Sequence, residues 1–155
     1  MVKVKKELLS PCGLYCGVCR VHIAHRDNDI KFKEELLPIY KAYGAKSVED
    51  IACTGCLSEG IIFPFCQSCV IKDCIKDKAI EGCRQCEEFP CEIIENWPSA
   101  PGKKIILRNI PVWRELGTEK WVDYMENRYK CPECGNQLFQ GVMNCLKCNA
   151  KVNLD

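Results

Sequence analysis

The chain has 155 residues, of which 15 are cysteine, and its formal net charge is +1 at pH 7. A chain of this length forms one domain or two small ones, and it buries a smaller share of its unfolded surface than a large domain does. The near-zero charge argues against a strongly basic nucleic-acid-binding protein, and no apolar run is long enough to span a membrane. We therefore expect bound metal to contribute to stability, because a structural zinc site supplies about 10–16 kcal/mol of apparent binding energy.

The cysteines are interpreted as metal ligands and not as disulfides. The first ten residues, MVKVKKELLS, contain no apolar segment of a secretory signal, so the protein is predicted to be cytoplasmic, where thiols stay reduced. An odd number of cysteines also leaves one thiol over in a complete disulfide set, whereas a histidine can complete a metal site. Four zinc ions and fifteen thiolates would change the net charge from +1 to about −6, which makes nucleic-acid binding unfavourable.

The first motif in the chain is Cys12-x3-Cys16-x2-Cys19. Its spacing is that of the three thiolates that hold the four-iron cluster of radical S-adenosylmethionine enzymes. Such enzymes need a barrel of alternating strands and helices, and the residues after Cys19 show a helical pattern and further cysteines instead. His22 follows at a C-x2-H spacing and would bring the ligands before residue 92 to twelve, enough for three four-coordinate sites.

The segment 27–43 is predicted to be a helix that joins the first cysteine motif to the next. Four large side chains recur at three- and four-residue steps: Phe32, Leu36, Tyr40 and Tyr43. This face is predicted to pack in the core. Pro38 is expected to kink or divide the helix, and Gly44 is expected to end it.

The central segment 53–91 has no long periodic stretch, so loops and single helical turns are expected around metal ions. A CxxC pair and two copies of C-x2-C-x4-C supply eight thiols: Cys53, Cys56, Cys66, Cys69, Cys74, Cys83, Cys86 and Cys91. The simplest closed site joins the first four of them and leaves the last four as a second site, although spacing alone does not establish the pairing. Iron–sulfur clusters are the alternative to zinc, since thiolates suit both, but the bacterial ferredoxin run C-x2-C-x2-C-x3-C-P does not occur.

Residues 98–130 are predicted to form a linker and a helical hairpin. The stretch 96–102, NWPSAPG, contains two prolines and a glycine and indicates the linker. Helical periodicity follows over 103–115 and again after Gly117, where Thr118 is expected to be the N-cap.

The last motif consists of two CxxC pairs separated by ten residues, CPECGNQLFQGVMNCLKC. Two tight turns of this kind can present four sulfur atoms tetrahedrally, so we predict a zinc ribbon of short β-hairpins over 131–155. A single iron ion is the alternative, because the ligand type does not separate the two metals. Few basic residues lie near the motif, which favours a structural role or a protein contact.

The cysteine pattern from Cys12 to Cys91 resembles an uncharacterised, cysteine-rich domain of unknown function found mostly in archaea and bacteria. The residues that carry the resemblance are CGLYCGVC, CTGCLSEG, the C-x2-C-x4-C unit and CRQCEEFPC. Similar proteins often carry an extension resembling RELGTEKWVDYMENRYKCPECG that ends in a small zinc ribbon. The resemblance implies a domain defined by its cysteines and not by a reaction, and it identifies no catalytic residue.

The sequence as a whole predicts a small, metal-stabilised, irregular and α-rich cysteine-rich domain over 1–97, a linker and helical hairpin over 98–130, and a zinc ribbon over 131–155. The predicted metal ligands are Cys12, Cys16, Cys19, His22, Cys53, Cys56, Cys66, Cys69, Cys74, Cys83, Cys86, Cys91, Cys131, Cys134, Cys145 and Cys148.

The predicted function is that of a cytoplasmic protein with several zinc ions, mainly structural, that serves as a protein-interaction or regulatory module. The alternative is an iron–sulfur redox or electron-transfer protein, or a thiol-based metal carrier. Neither an acid–base pair, nor a phosphate-binding loop, nor an activated nucleophile is found apart from the cysteines, which argues against an enzyme.

Overall fold

The structure is a computed structural model that describes residues 2–155. Seven α-helices form in this part of the chain: α1 (Arg20–Arg26), α2 (Ile30–Tyr40), α3 (Pro64–Gln67), α4 (Val70–Asp77), α5 (Glu92–Glu95), α6 (Ala100–Leu116) and α7 (Thr118–Arg128). Single turns of 3-10 helix lie at Lys6–Leu8, Cys16–Val18, Lys41–Tyr43, Val48–Asp50 and Cys83–Gln85. In the described residues, every helix is too short or too polar to cross a membrane.

The predicted zinc ribbon of short β-hairpins is wrong, although the predicted helical, cysteine-rich domain is present. Residues 2–155 contain no β-sheet, and the C-terminal residues form only two isolated antiparallel bridges, Lys130 with Gln137 and Asn144 with Lys151. The first bridge does not extend into a hairpin because the next two side chains, Leu138 and Phe139, are both buried, with 1% and 8% exposure. A regular strand would point them to opposite faces.

Helix α2 begins where the side chain of Asp29 accepts a hydrogen bond from the backbone N of Phe32, at 3.0 Å. Pro38 lies inside the helix and does not end it. Its missing N–H leaves the carbonyl of Glu34 without a helical partner, and that residue is exposed, so water can take the partner's place. The helix passes into a 3-10 turn that stops at Gly44, whose φ of +97° favours glycine.

Helix α6 begins inside the segment predicted to be a linker. The hydroxyl of Ser99 accepts a hydrogen bond from the backbone N of Gly102 at 3.1 Å, which makes Ser99 the N-cap of the helix. The linker is therefore shorter than predicted, because three of its residues form the first turn of α6.

Helices α6 and α7 form the predicted hairpin around Gly117, but Thr118 is the first residue of α7 and not its N-cap. Its hydroxyl instead accepts a hydrogen bond from Nε1 of Trp113 at 3.0 Å. The rings of Trp113 and Trp121 stack at 3.8 Å between centroids with an interplanar angle of 2°. Both side chains are buried, so the hairpin is joined through its aromatic residues.

One hydrophobic core includes side chains from all three predicted segments. The rings of Phe32 and Phe139 are 5.0 Å apart, and the buried amide of Asn109 donates to the carbonyl of Gly13 at 2.7 Å. These contacts hold α2 against the C-terminal residues and the first cysteine motif against α6. The division at residues 97 and 130 stays a prediction.

Candidate metal centres

The last four cysteines, Cys131, Cys134, Cys145 and Cys148, meet in one group that we call the C-terminal thiol cluster. Their sulfur atoms all lie within 4.8 Å of one another. The Sγ atoms are 3.6 Å apart between Cys131 and Cys148, and 3.7 Å apart between Cys134 and Cys145. Four sulfurs bound tetrahedrally at about 2.3 Å from one ion would be separated by about 3.8 Å. The cluster therefore has the dimensions that hold a single metal ion.

Tight backbone turns build this cluster. Gly135 and Asn149, which follow the two thiol pairs, have φ of +72° and +59°, in the region that glycine and asparagine enter most easily. The backbone amide of Cys148, aided by that of Lys147, stabilises the thiolate of Cys145 and lowers its pKa to about 6. Such a thiol is ready to bind a metal, because the thiolate is the ligand form.

The residues between the two thiol pairs attach the C-terminal thiol cluster to the first cysteine motif. Nε2 of Gln137 donates to the carbonyl of Gly17 at 3.1 Å, and the backbone N of Gln140 donates to that of Val18 at 3.0 Å. The side-chain amide of Gln140 also donates to the carbonyl of Leu14. The loop of the first motif is thus held from outside by two glutamines that the sequence analysis did not identify.

A cavity of about 340 Å³ is lined by the first seven cysteines of the chain, and we call it the seven-thiol cavity. The cysteines that line it are Cys12, Cys16, Cys19, Cys53, Cys56, Cys66 and Cys69. The backbone N of Cys56 lies 3.3 Å from Sγ of Cys16, so the two motifs are in direct contact. The four thiols predicted to form the simplest closed site therefore share their cavity with the three thiols of the first motif.

Aromatic side chains form much of the remaining wall of the seven-thiol cavity: Tyr15, Tyr40, Tyr43, Phe63, Phe65 and Trp97. Two of them belong to the helical stripe that the sequence assigned to the core. The stripe was identified correctly as a packed face, but its position beside the thiols depends on the path of the chain between residues 43 and 66.

Burial and repulsion between neighbouring thiolates shift the pKa values of the thiols in this cavity. Burial raises the pKa values of Cys12 and Cys19. Side-chain hydrogen bonds from Cys16 and Cys66 lower the pKa of Cys56 well below its ordinary value. The negative charge of Cys56 in turn raises the pKa of Cys12 further. Bound cations would remove this repulsion and stabilise the thiolates.

His22 lies on the wall of the seven-thiol cavity, whereas His25 does not. Its Nδ1 is 3.0 Å from the carbonyl O of Cys53. With the proton on Nδ1, this contact is a hydrogen bond that leaves Nε2 free, which is the arrangement common for histidines that bind metals. Burial lowers the pKa of His22, so the neutral form that can act as a ligand is favoured.

The other four thiols of the central segment lie on the wall of a second cavity of about 190 Å³, which we call the four-thiol cavity. It is lined by Cys74, Cys83, Cys86 and Cys91. Burial raises the pKa of Cys83 to about 12, and the negative charges of Cys91, Cys86 and Cys74 add to that effect.

The two cavities differ from the C-terminal thiol cluster in how closely their ligand atoms approach. Among the described residues 2–155, no other three histidine, cysteine, aspartate or glutamate side chains place their ligand atoms within 4.8 Å of one another. The structure therefore places the twelve predicted ligands that precede residue 92 on the walls of two cavities, but it does not arrange them around single ions.

Comparison with known proteins supports the resemblance seen in the cysteine pattern. A family model described as "Protein of unknown function (DUF3795)" matches residues 8–96. The match includes every cysteine of both cavities and excludes the C-terminal thiol cluster. Neither the curated proteins nor the solved structures contain a match to the chain.

Proposed function

We propose that this chain, which belongs to the DUF3795 family of proteins of unknown function, binds a structural zinc ion at its C-terminal thiol cluster and uses a nearby surface to bind a protein partner. The separations of 3.6 and 3.7 Å between its sulfur atoms support the zinc assignment. Four thiolates suit a soft ion such as zinc and not magnesium or calcium. Four protein ligands also leave no open position for a substrate, so the role is structural.

The proposed ion would hold both ends of the segment that carries Gln137 and Gln140. These side chains hydrogen-bond to the loop of the first cysteine motif. An apparent binding energy of about 10–16 kcal/mol is comparable with the whole net stability of an ordinary domain, about 5–15 kcal/mol. The ion would therefore stabilise both the C-terminal segment and the loop that it supports.

Metal analysis tests the zinc assignment. We expect wild-type protein, purified without oxygen, to contain about one zinc ion more per chain than a variant with Cys145→Ser and Cys148→Ser, because the variant keeps only half of the ligands. Lys147→Ala, in the same turn, serves as the matched control and should retain the zinc. Equal zinc contents in wild type and the double variant, or iron in place of zinc at this site, would contradict the assignment.

The proposed partner surface consists of Met143 and Leu146, whose exposures are 73% and 60%. They lie on either side of Cys145, and the turns of the thiol cluster hold them in fixed positions. Large apolar side chains on a rigid, exposed turn are typical of protein contacts. Lys147 and Lys151 are the basic residues closest in sequence, which is too little positive charge for a nucleic-acid site.

Crosslinking in cells tests this surface. A photoreactive residue at position 147 should give a discrete crosslinked product, and Met143→Ser with Leu146→Ser should abolish it, since the apolar contact is lost. Val70→Ser, which changes an apolar side chain with 56% exposure elsewhere, should leave the product unchanged. Absence of a product from the wild-type surface, or its persistence in the double variant, would rule out this contact.

A further inference from the structure

The four-thiol cavity is larger than a single metal ion requires. Its volume of about 190 Å³ equals the space of about six water molecules at about 30 Å³ each. Ligands of one zinc ion converge until their sulfurs are about 3.8 Å apart. In this cavity no three of the thiols lie within 4.8 Å of one another, so the four sulfurs line one cavity without converging on a single ion.

The rest of the cavity wall is predominantly apolar. Besides the four cysteines and three charged side chains, six apolar side chains line it: Ile71, Ile75, Ile80, Phe89, Ile93 and Ile94. The cavity opens to solvent on the side of its charged residues, and its apolar walls offer water few hydrogen bonds. A ligand that fills this cavity must bind thiolates and pack against apolar side chains.

We propose that Cys74, Cys83, Cys86 and Cys91 bind a polynuclear iron–sulfur cluster of the four-iron, four-sulfur class. Such a cluster takes one cysteine thiolate at each iron, so its ligands stand apart around the inorganic core. The four-thiol cavity offers one complete ligand set and the space for the core. These cysteines are not those of the C-terminal thiol cluster, so the zinc and iron–sulfur assignments can fail separately.

The charged side chains on the cavity wall are Lys78, Glu88 and Glu92, and all three are exposed to solvent. Lys78 forms an ion pair with Glu88. The charges therefore lie at the solvent side of the cavity, and the thiols and apolar side chains form the rest of its wall.

Arg114 is a positioning residue for this site. From α6 it donates to three backbone carbonyls of one turn: Cys83 O at 3.2 Å, Arg84 O at 2.8 Å and Cys86 O at 2.6 Å. Bonds from a charged guanidinium are stronger than neutral ones. The turn that carries two of the four thiols is therefore held in place by a residue almost thirty positions away.

Anaerobic reconstitution of the full-length chain with ferrous iron and sulfide tests the proposal. We expect the wild-type protein to become brown, and Cys86→Ser or Cys91→Ser to reduce bound iron and sulfide by about four each per chain. After reduction with dithionite, the wild-type protein should show the electron paramagnetic resonance signal of a reduced four-iron cluster, weakened in both variants. Arg114→Ala should lower iron incorporation without removing a ligand.

The zinc of the C-terminal thiol cluster serves as an internal control for folding. Cys86→Ser and Cys91→Ser should retain that zinc, and Cys134→Ser should lose it while keeping the iron of the four-thiol cavity. The proposal is overturned if reconstituted wild-type protein holds zinc and no iron in this cavity. It is also overturned if both folded cysteine variants, identified by their retained zinc, bind as much iron and sulfide as the wild type.

Discussion

Replacing Cys134 with serine is expected to release the C-terminal zinc and to loosen residues 131–155. The Cys134 side chain is exposed, so the substitution opens no cavity, and its effect comes from the lost ligand. The hydrogen bonds that Gln137 and Gln140 donate to the loop of the first motif should weaken with it. We expect amide-exchange protection of residues 131–155 to fall at least about 100-fold, equivalent to about 2.7 kcal/mol.

Hydrogen exchange monitored residue by residue, together with zinc analysis, measures this effect. Glu133→Ala is the matched control, because it changes an exposed side chain in the same turn without removing a ligand. Retention of zinc by Cys134→Ser would show that the ion is held elsewhere. Equal loss of protection in α6 and α7 would show that residues 131–155 are not a separate unit, which would make the predicted boundary at 130 wrong.

Replacing Trp113 with alanine is expected to lower the free energy of unfolding by about 3–5 kcal/mol. The side chain is only 1% exposed, stacks on Trp121, and donates a hydrogen bond to Thr118. The guanidinium of Arg84 also lies 4.5 Å from the centre of the Trp113 ring. Because Arg84 belongs to the Cys83–Cys86 turn, we expect the variant to incorporate less iron into the four-thiol cavity as well.

Urea unfolding at a fixed metal content measures the change in stability. Trp113→Phe keeps an aromatic face and should lose less than half as much stability as Trp113→Ala. Val112→Ala, at the preceding and only partly buried position of α6, controls for the general effect of shortening a side chain there. If Trp113→Ala costs no more than Val112→Ala, the stacked pair does not stabilise the hairpin.

The C-terminal thiol cluster shows how far local sequence can predict a site. Two CxxC pairs and a glycine after the first determine tight turns, because the atoms involved are only a few residues apart. The predicted β-hairpins failed at the next step. Leu138 and Phe139 both enter the common core, and the backbone N of Gln140 pairs with Val18 and not with a neighbouring strand.

The sequence also predicted which segments form the long helices, but not how the prolines and Thr118 behave within them. The aromatic and aliphatic spacing identified α2, α6 and α7, since that periodicity is a property of consecutive residues. Pro38, which was expected to kink or divide its helix, lies inside α2, and Pro111 lies inside α6 in the same way, because a missing hydrogen bond is tolerable when packing holds the helix. Thr118 differs from its predicted role because Trp113 occupies its hydroxyl.

The ligand type, the tight turns and the helical faces follow from the amino-acid sequence, because each depends on residues close together in the chain. The division of eleven thiols into a cavity of seven and a cavity of four follows instead from tertiary packing. That division depends on which turns face each other, and long-range contacts such as those of Asn109 with Gly13 and of Arg114 with the Cys83–Cys86 turn set it. Cysteine spacing does not predict these contacts, since core packing brings together residues that are distant in sequence.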